Sequence, residues 1–152
     1  MHILNQIKIF KGLDDDELSS IYHLAIPKRI ETGQYLIRED QRGNSLFIIL
    51  EGLVEVLVEN PVKPGETIPL AKLRAHDVLG ELSIFDDSPR SASALARSAT
   101  DVLEIPKVEL WKLFEKNNRM GMVTLRNLGA TICERLRSAD MELRNCNLWL
   151  GM

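Results

Sequence analysis

Residues 79–96 read LGELSIFDDSPRSASALA, and the order of residue types in this stretch decides how the rest of the chain is to be taken. An apolar run stops at Gly80, a carboxylate follows at Glu81, and Leu82, Ser83 and Ile84 form one short apolar turn. A polar loop then leads to Arg90, Ser91 and Ala92. A one-turn helix starting near Gly80 would aim unpaired backbone N–H groups at an anion, and the backbone at Leu82 and Ser83 is the candidate donor set. Arg90 adds a charge-assisted donor for phosphate oxygens, and Ser91 a hydroxyl. Glu81 is out of place beside an anion unless something there needs an acceptor, as a sugar hydroxyl does. Taken alone, the same two residues also fit a surface Glu–Arg pair with no ligand.

Outward from this stretch the pattern is of short β-type runs, at 35–37, 46–50, 53–58, 68–73, 92–96 and 102–105. Val54, Val56 and Val58 alternate with Glu55, Leu57 and Glu59, as in a half-buried strand. Gly33, Gly43, Gly52, Gly65 and Gly80 fall between or at the ends of these runs, where chain reversals need positive φ or a missing side chain. The spacing predicts a mainly β fold, a double-stranded β-helix or jelly-roll barrel over residues 27–106, flanked by helices. Before it, residues 1–26 form a short helical segment, with a capping box at Asp14 and Glu17 and an end at Pro27. After it, residues 107–152 are helical. Leu125, Gly129, Ile132, Leu136, Ala139, Leu143, Cys146 and Leu150 repeat there in alternating steps of four and three, a heptad seam that predicts a homodimer through the helix at 120–150.

The totals narrow the function. A chain of 152 residues with 45% hydrophobic content fits one domain. Its 19 basic and 22 acidic residues are interspersed, with a net charge of −3, so nucleic acid is not the expected partner of this chain alone. The start is too polar for a signal segment or membrane span, which leaves a cytoplasmic protein as the expectation. Cys133 and Cys146 have no metal-ligand spacing and are read as two small buried thiols. No paired carboxylates, nucleophile–base set or metal cluster can be placed, so no enzyme and no catalytic cofactor are expected.

As a pattern, residues 79–96 resemble the phosphate-binding cassette of the cyclic-nucleotide-binding superfamily. Leu79, Gly80, Glu81, Ser83, Ile84, Arg90, Ser91, Ala92, Ala94 and Ala96 occupy its positions. Residues 39–52, EDQRGNSLFIILEG, are similar to the family's strand–turn–strand segment, and residues 128–145 to the dimerisation helix of its catabolite-activator branch. The resemblance implies Glu81 on the ribose 2′-hydroxyl and Arg90 on the cyclic phosphate, with Ser91 and the backbone at Leu82 and Ser83 assisting. It implies Val56, Leu70 and Leu73 behind the sugar and base, and Arg135, Ala139 and Asp140 near the purine. The implied ligand is cyclic AMP, with cyclic GMP as the alternative because Ala139 replaces a hydroxyl. Two positions depart from the family's glycines, Asp40 and His76, and both residues tolerate left-handed backbone better than most. The implied role is a sensor that signals through its long helix to a downstream protein. The alternatives are an assembly domain that keeps the barrel without the ligand, and the sensor part of a longer transcription regulator.

Overall fold

The computed structural model describes residues 2–150. Two turns of 3-10 helix, Ile3–Gln6 and Lys8–Phe10, precede helix α1, Asp15–Leu24. The capping box forms as expected: the Asp14 carboxylate accepts from the Glu17 N–H at 2.8 Å, and the Glu17 carboxylate from the Asp14 N–H at 3.0 Å.

Eight strands follow: β1 (Ile26–Ile30), β2 (Tyr35–Ile37), β3 (Ser45–Glu51), β4 (Val54–Glu59), β5 (Thr67–Leu73), β6 (Val78–Leu79), β7 (Ser93–Ala96) and β8 (Thr100–Pro106). They form two four-stranded antiparallel sheets, ordered β1-β8-β3-β6 and β2-β7-β4-β5, in a jelly-roll arrangement with helices at both ends of the chain. The six expected runs are all strands. β1 and β6 are additions. Pro27 does not itself end α1, which stops at Leu24 with Ala25 as its cap; it lies within β1, opposite Leu103. β1 is an edge strand, where a residue without an N–H costs the ladder least.

The apolar run of β3 is continuous because both of its faces are covered. Leu46 and Ile48 join the cluster under the helices, with Leu18, Ile21, Leu103, Ile105, Leu110 and Phe114. Phe47 and Ile49 point the other way, into a second cluster with Ile37, Val54, Leu79, Ala94 and Val102 between the sheets. Each fully buried Leu or Ile contributes about 1.5–3 kcal/mol.

Helices α2 (Lys107–Lys116) and α3 (Asn118–Leu150) close the structure. They part at Asn117, whose side-chain oxygen accepts from the Met120 N–H at 3.1 Å. A Cβ on Gly121 would sit 2.9 Å from the Phe114 Cβ, so the glycine lets the two helices cross closely. Met120, Val123, Thr124 and Leu128 are buried, with Leu125 and Ile132 packed beside them. Beyond Ile132 the helix meets its own chain through Glu134, ion-paired to Lys8, and Arg135, ion-paired to Glu81, and every described side chain from Cys133 to Leu148 is exposed. Both thiols are therefore exposed, not buried as the composition suggested. The seam position at Leu150 lies outside the described side chains. No helix among the described residues is long and apolar enough to cross a membrane.

Candidate functional site

The site is built around the turn that leaves β6. Gly80 has φ +79°, a left-handed conformation, and a Cβ there would fall 2.5 Å from Arg90 Nη1 and 2.9 Å from the Ser45 carbonyl oxygen. Only glycine satisfies both constraints. A single 3-10 turn, Glu81–Ile84, follows, and the chain then loops back to β7. The return is pinned by the turn after β2: the Asp40 N–H donates to the Arg90 carbonyl at 2.9 Å, and the Arg90 N–H to the Gln41 carbonyl at 2.8 Å. Asp40 has φ +65° and His76 φ +77°, as expected of residues standing at glycine positions.

The Arg90 side chain lies across this turn. Nη2 donates to the Ser45 carbonyl at 2.8 Å, and Nη1 donates to the Gly80 carbonyl and to Ser83 Oγ, both at 3.2 Å. Ser83 Oγ in turn donates to the Gly80 carbonyl at 2.7 Å. Burial lowers the pKa of the guanidinium from its ordinary value, against a raising influence from Glu104. Its charge is held by carbonyls and hydroxyl alone, so it is a half-buried cation with no carboxylate bonded to it among the described residues.

Glu81 is 6% exposed, yet Arg90 is not its partner. It is ion-paired to Arg135 of α3, whose side chain is half-exposed. The alternative of a Glu81–Arg90 surface pair is therefore not what forms: Arg90 is bonded to the sheet turn and Glu81 to the long helix.

Between them opens a cavity of about 500 Å³. Gly80, Glu81, Leu82, Ser83, Arg90, Ser91 and Ala92 all line it, as do Val56, Leu73 and Arg135. Leu70, Ala139 and Asp140 do not. β5 carries a bulge: Val56 faces Ala71 while Leu57 faces Pro69, so Leu70 is the extra residue and is 59% exposed. Ala71 takes its place in the wall, beside Ile37, Val78 and Ala94. Strand alternation could have found Ala71, since it shares a face with Leu73 and Leu70 does not. Ala139 and Asp140 lie a turn beyond Arg135, on the exposed length of α3. The Ser83 N–H is also not free, because it donates to the Gly80 carbonyl at 3.2 Å. Asp86, Ser88 and Pro89 line the mouth, and nothing in their spacing marked them.

The walls divide the cavity chemically. One end carries Arg90, Ser83 and Ser91 and can hold an anion, the buried carboxylate of Glu81 can accept hydrogen bonds, and the β4–β5–β6–β7 walls are apolar.

Residues 27–117, more than half of the chain, match the cyclic nucleotide-binding domain. The chain belongs to that family, whose domains are regulatory rather than catalytic. Among curated proteins it is 33% identical over 109 residues to a cGMP-dependent protein kinase of Toxoplasma gondii, covering 72% of this chain and 10% of the kinase. It is 28% identical over 135 residues to the cyclic AMP receptor protein of Thermus thermophilus, covering 89% of this chain and 60% of the receptor. The crystal structure of a cyclic nucleotide-binding domain from Methylobacillus flagellatus superposes with a TM-score of 0.81 at 28% identity, over 94% of this chain and 80% of that one. The chain thus spans a tenth of the kinase and 60% of the receptor.

Proposed function

We propose that the whole chain works as one regulatory sensor that binds cyclic AMP in the 500 Å³ cavity and reports occupancy through α3. The observation that carries this reading is that Arg90 and Glu81 line the same cavity without being bonded to each other. The cyclic phosphate sits against Arg90, with Ser91 and the backbone at Leu82 assisting, and its single charge is matched by one guanidinium. Glu81 accepts from the ribose 2′-hydroxyl, and an open monophosphate with a second charge is disfavoured beside that carboxylate. Val56, Ala71 and Leu73 cover the sugar and base.

Arg135 is the link to output. A ligand that bonds Glu81 competes with the Glu81–Arg135 pair, so occupancy changes what holds α3 against the cassette. The exposed seam of α3 pairs with a second copy, and the dimer passes the change to a downstream protein. What supports cyclic AMP over cyclic GMP in this reading is that the likeness to the cyclic AMP receptor takes in more of the chain than the likeness to the cyclic GMP-dependent kinase.

Calorimetric titration with both nucleotides tests the reading. Saturable binding that is tighter for cyclic AMP and lost in Arg90→Leu is expected. Negligible heat from both nucleotides in the wild type would overturn it and favour an assembly domain that keeps the fold alone.

A further inference from the structure

The cassette is held from behind by α2. Lys107, the first residue of that helix, is bonded in two directions. Its backbone N–H, one of the unpaired donors of a helix start, donates to the Asn44 carbonyl at 2.7 Å, next to the Ser45 carbonyl that receives Arg90. Its ammonium, on a side chain only 16% exposed, donates to the Asp86 carbonyl and the Asp87 carboxylate, each at 3.0 Å. One turn later the Trp111 indole N–H donates to the Ile84 carbonyl at 3.0 Å, at the end of the cassette's 3-10 turn. The two side chains bond the cassette between Glu81 and Arg90, at Ile84, Asp86 and Asp87.

We infer that Lys107 and Trp111 are positioning residues for the nucleotide site, fixing residues 84–87 of the cassette so that Glu81 and Arg90 keep their places on the cavity wall. The inference rests on the cyclic-nucleotide reading for its effect on affinity, but not for its effect on the cassette itself. Without the grip, the loop from Phe85 to Pro89 is exposed and tied to the body only at its ends. Affinity then has to supply the ordering that α2 now supplies in advance. The same grip reaches α3: Trp111 meets Phe114 edge to face, at 5.9 Å between ring centroids, and Phe114 sits in the notch left by Gly121. A shift of the cassette therefore displaces a side chain already packed on the long helix.

The test compares Lys107→Met, Lys107→Arg and Trp111→Phe with the wild type in the full chain. In ligand-free protein, amide exchange of residues 84–90 is expected to quicken about tenfold in Lys107→Met and Trp111→Phe, to return toward wild type in Lys107→Arg, and to stay unchanged in β3 and β8. Cyclic AMP affinity is expected to fall about tenfold in the same two variants and to recover in Lys107→Arg. Unaltered cassette exchange would overturn the inference whether or not the protein binds nucleotide, and so would wild-type affinity in the two variants. Quickened exchange in a protein that binds neither nucleotide would uphold the positioning role and sink the functional reading alone.

Discussion

Gly43 lies directly against the Arg90 guanidinium: a Cβ at that position would stand 2.0 Å from Nε, 2.2 Å from Nη2 and 2.3 Å from Cζ. No side chain fits there while Arg90 keeps its bonds to Ser45 and Gly80. Gly43→Ala is expected to push the guanidinium out of its seat, and since the seat belongs to a flexible side chain, the fold survives. Nucleotide binding should weaken at least about tenfold, or about 1.4 kcal/mol, in a calorimetric titration. The melting temperature should move by no more than a few degrees.

The Glu81–Arg135 pair makes a different prediction, because one partner is buried and the other half-exposed. Arg135→Met removes the exposed partner and leaves a buried carboxylate in the cavity wall without its cation. Screening at the Arg135 end limits the loss to about 1 kcal/mol, a fall of about 2–4 °C for a chain of this size. Thermal unfolding of the ligand-free protein measures it. A variant as stable as wild type would mean that the pair does not hold α3 to the cassette.

On β5 the bulge separates two neighbours that the sequence alone confounds. Leu70→Ser should leave nucleotide affinity within about twofold of wild type, as is usual for a surface change away from the site. Ala71→Phe places a ring in the cavity and should abolish binding. Equal effects from the two would show that Leu70 reaches the ligand after all.

His76, at φ +77°, offers a test of backbone strain away from the cavity. His76→Val puts a β-branched residue in a left-handed turn and should cost about 1–2 kcal/mol. His76→Gly relieves the strain and should be at least as stable as wild type in the same denaturant titration.

Leu136 and Leu143 are 61% and 63% exposed, on the stretch of α3 that lies beyond its packed part. If they face a second copy, the double substitution Leu136→Asp and Leu143→Asp should give a monomer in analytical ultracentrifugation, with the jelly roll still folded. A wild-type protein that is monomeric at all concentrations would remove the dimer from the proposed mechanism.

Much of this was legible in the chain because it depends on local chemistry. Gly80, Asp40 and His76 could be marked as left-handed positions from residue type and place in a pattern. The capping box of α1 and the six strand runs follow from spacing, and the spacing of Gly80, Glu81 and Arg90 identified the cavity wall. β1 was not legible, because Pro27 reads as a stop and only a neighbour on one side makes it an edge strand. Leu70 was misplaced because a bulge is set by the partner strand, and the exposure of Cys133 and Cys146 depends on where α3 leaves the body.

The sequence by itself placed Glu81 and Arg90 close together, and both line one cavity, since the backbone between them is short and its turn chemistry strong. Which cation neutralises Glu81 was decided only by the tertiary structure. Arg90 is the nearer in sequence, but the turn at residues 43–45 and Gly80 offers its guanidinium carbonyls at hydrogen-bond distance. Glu81 is left to Arg135, which only the packing of α3 brings to it.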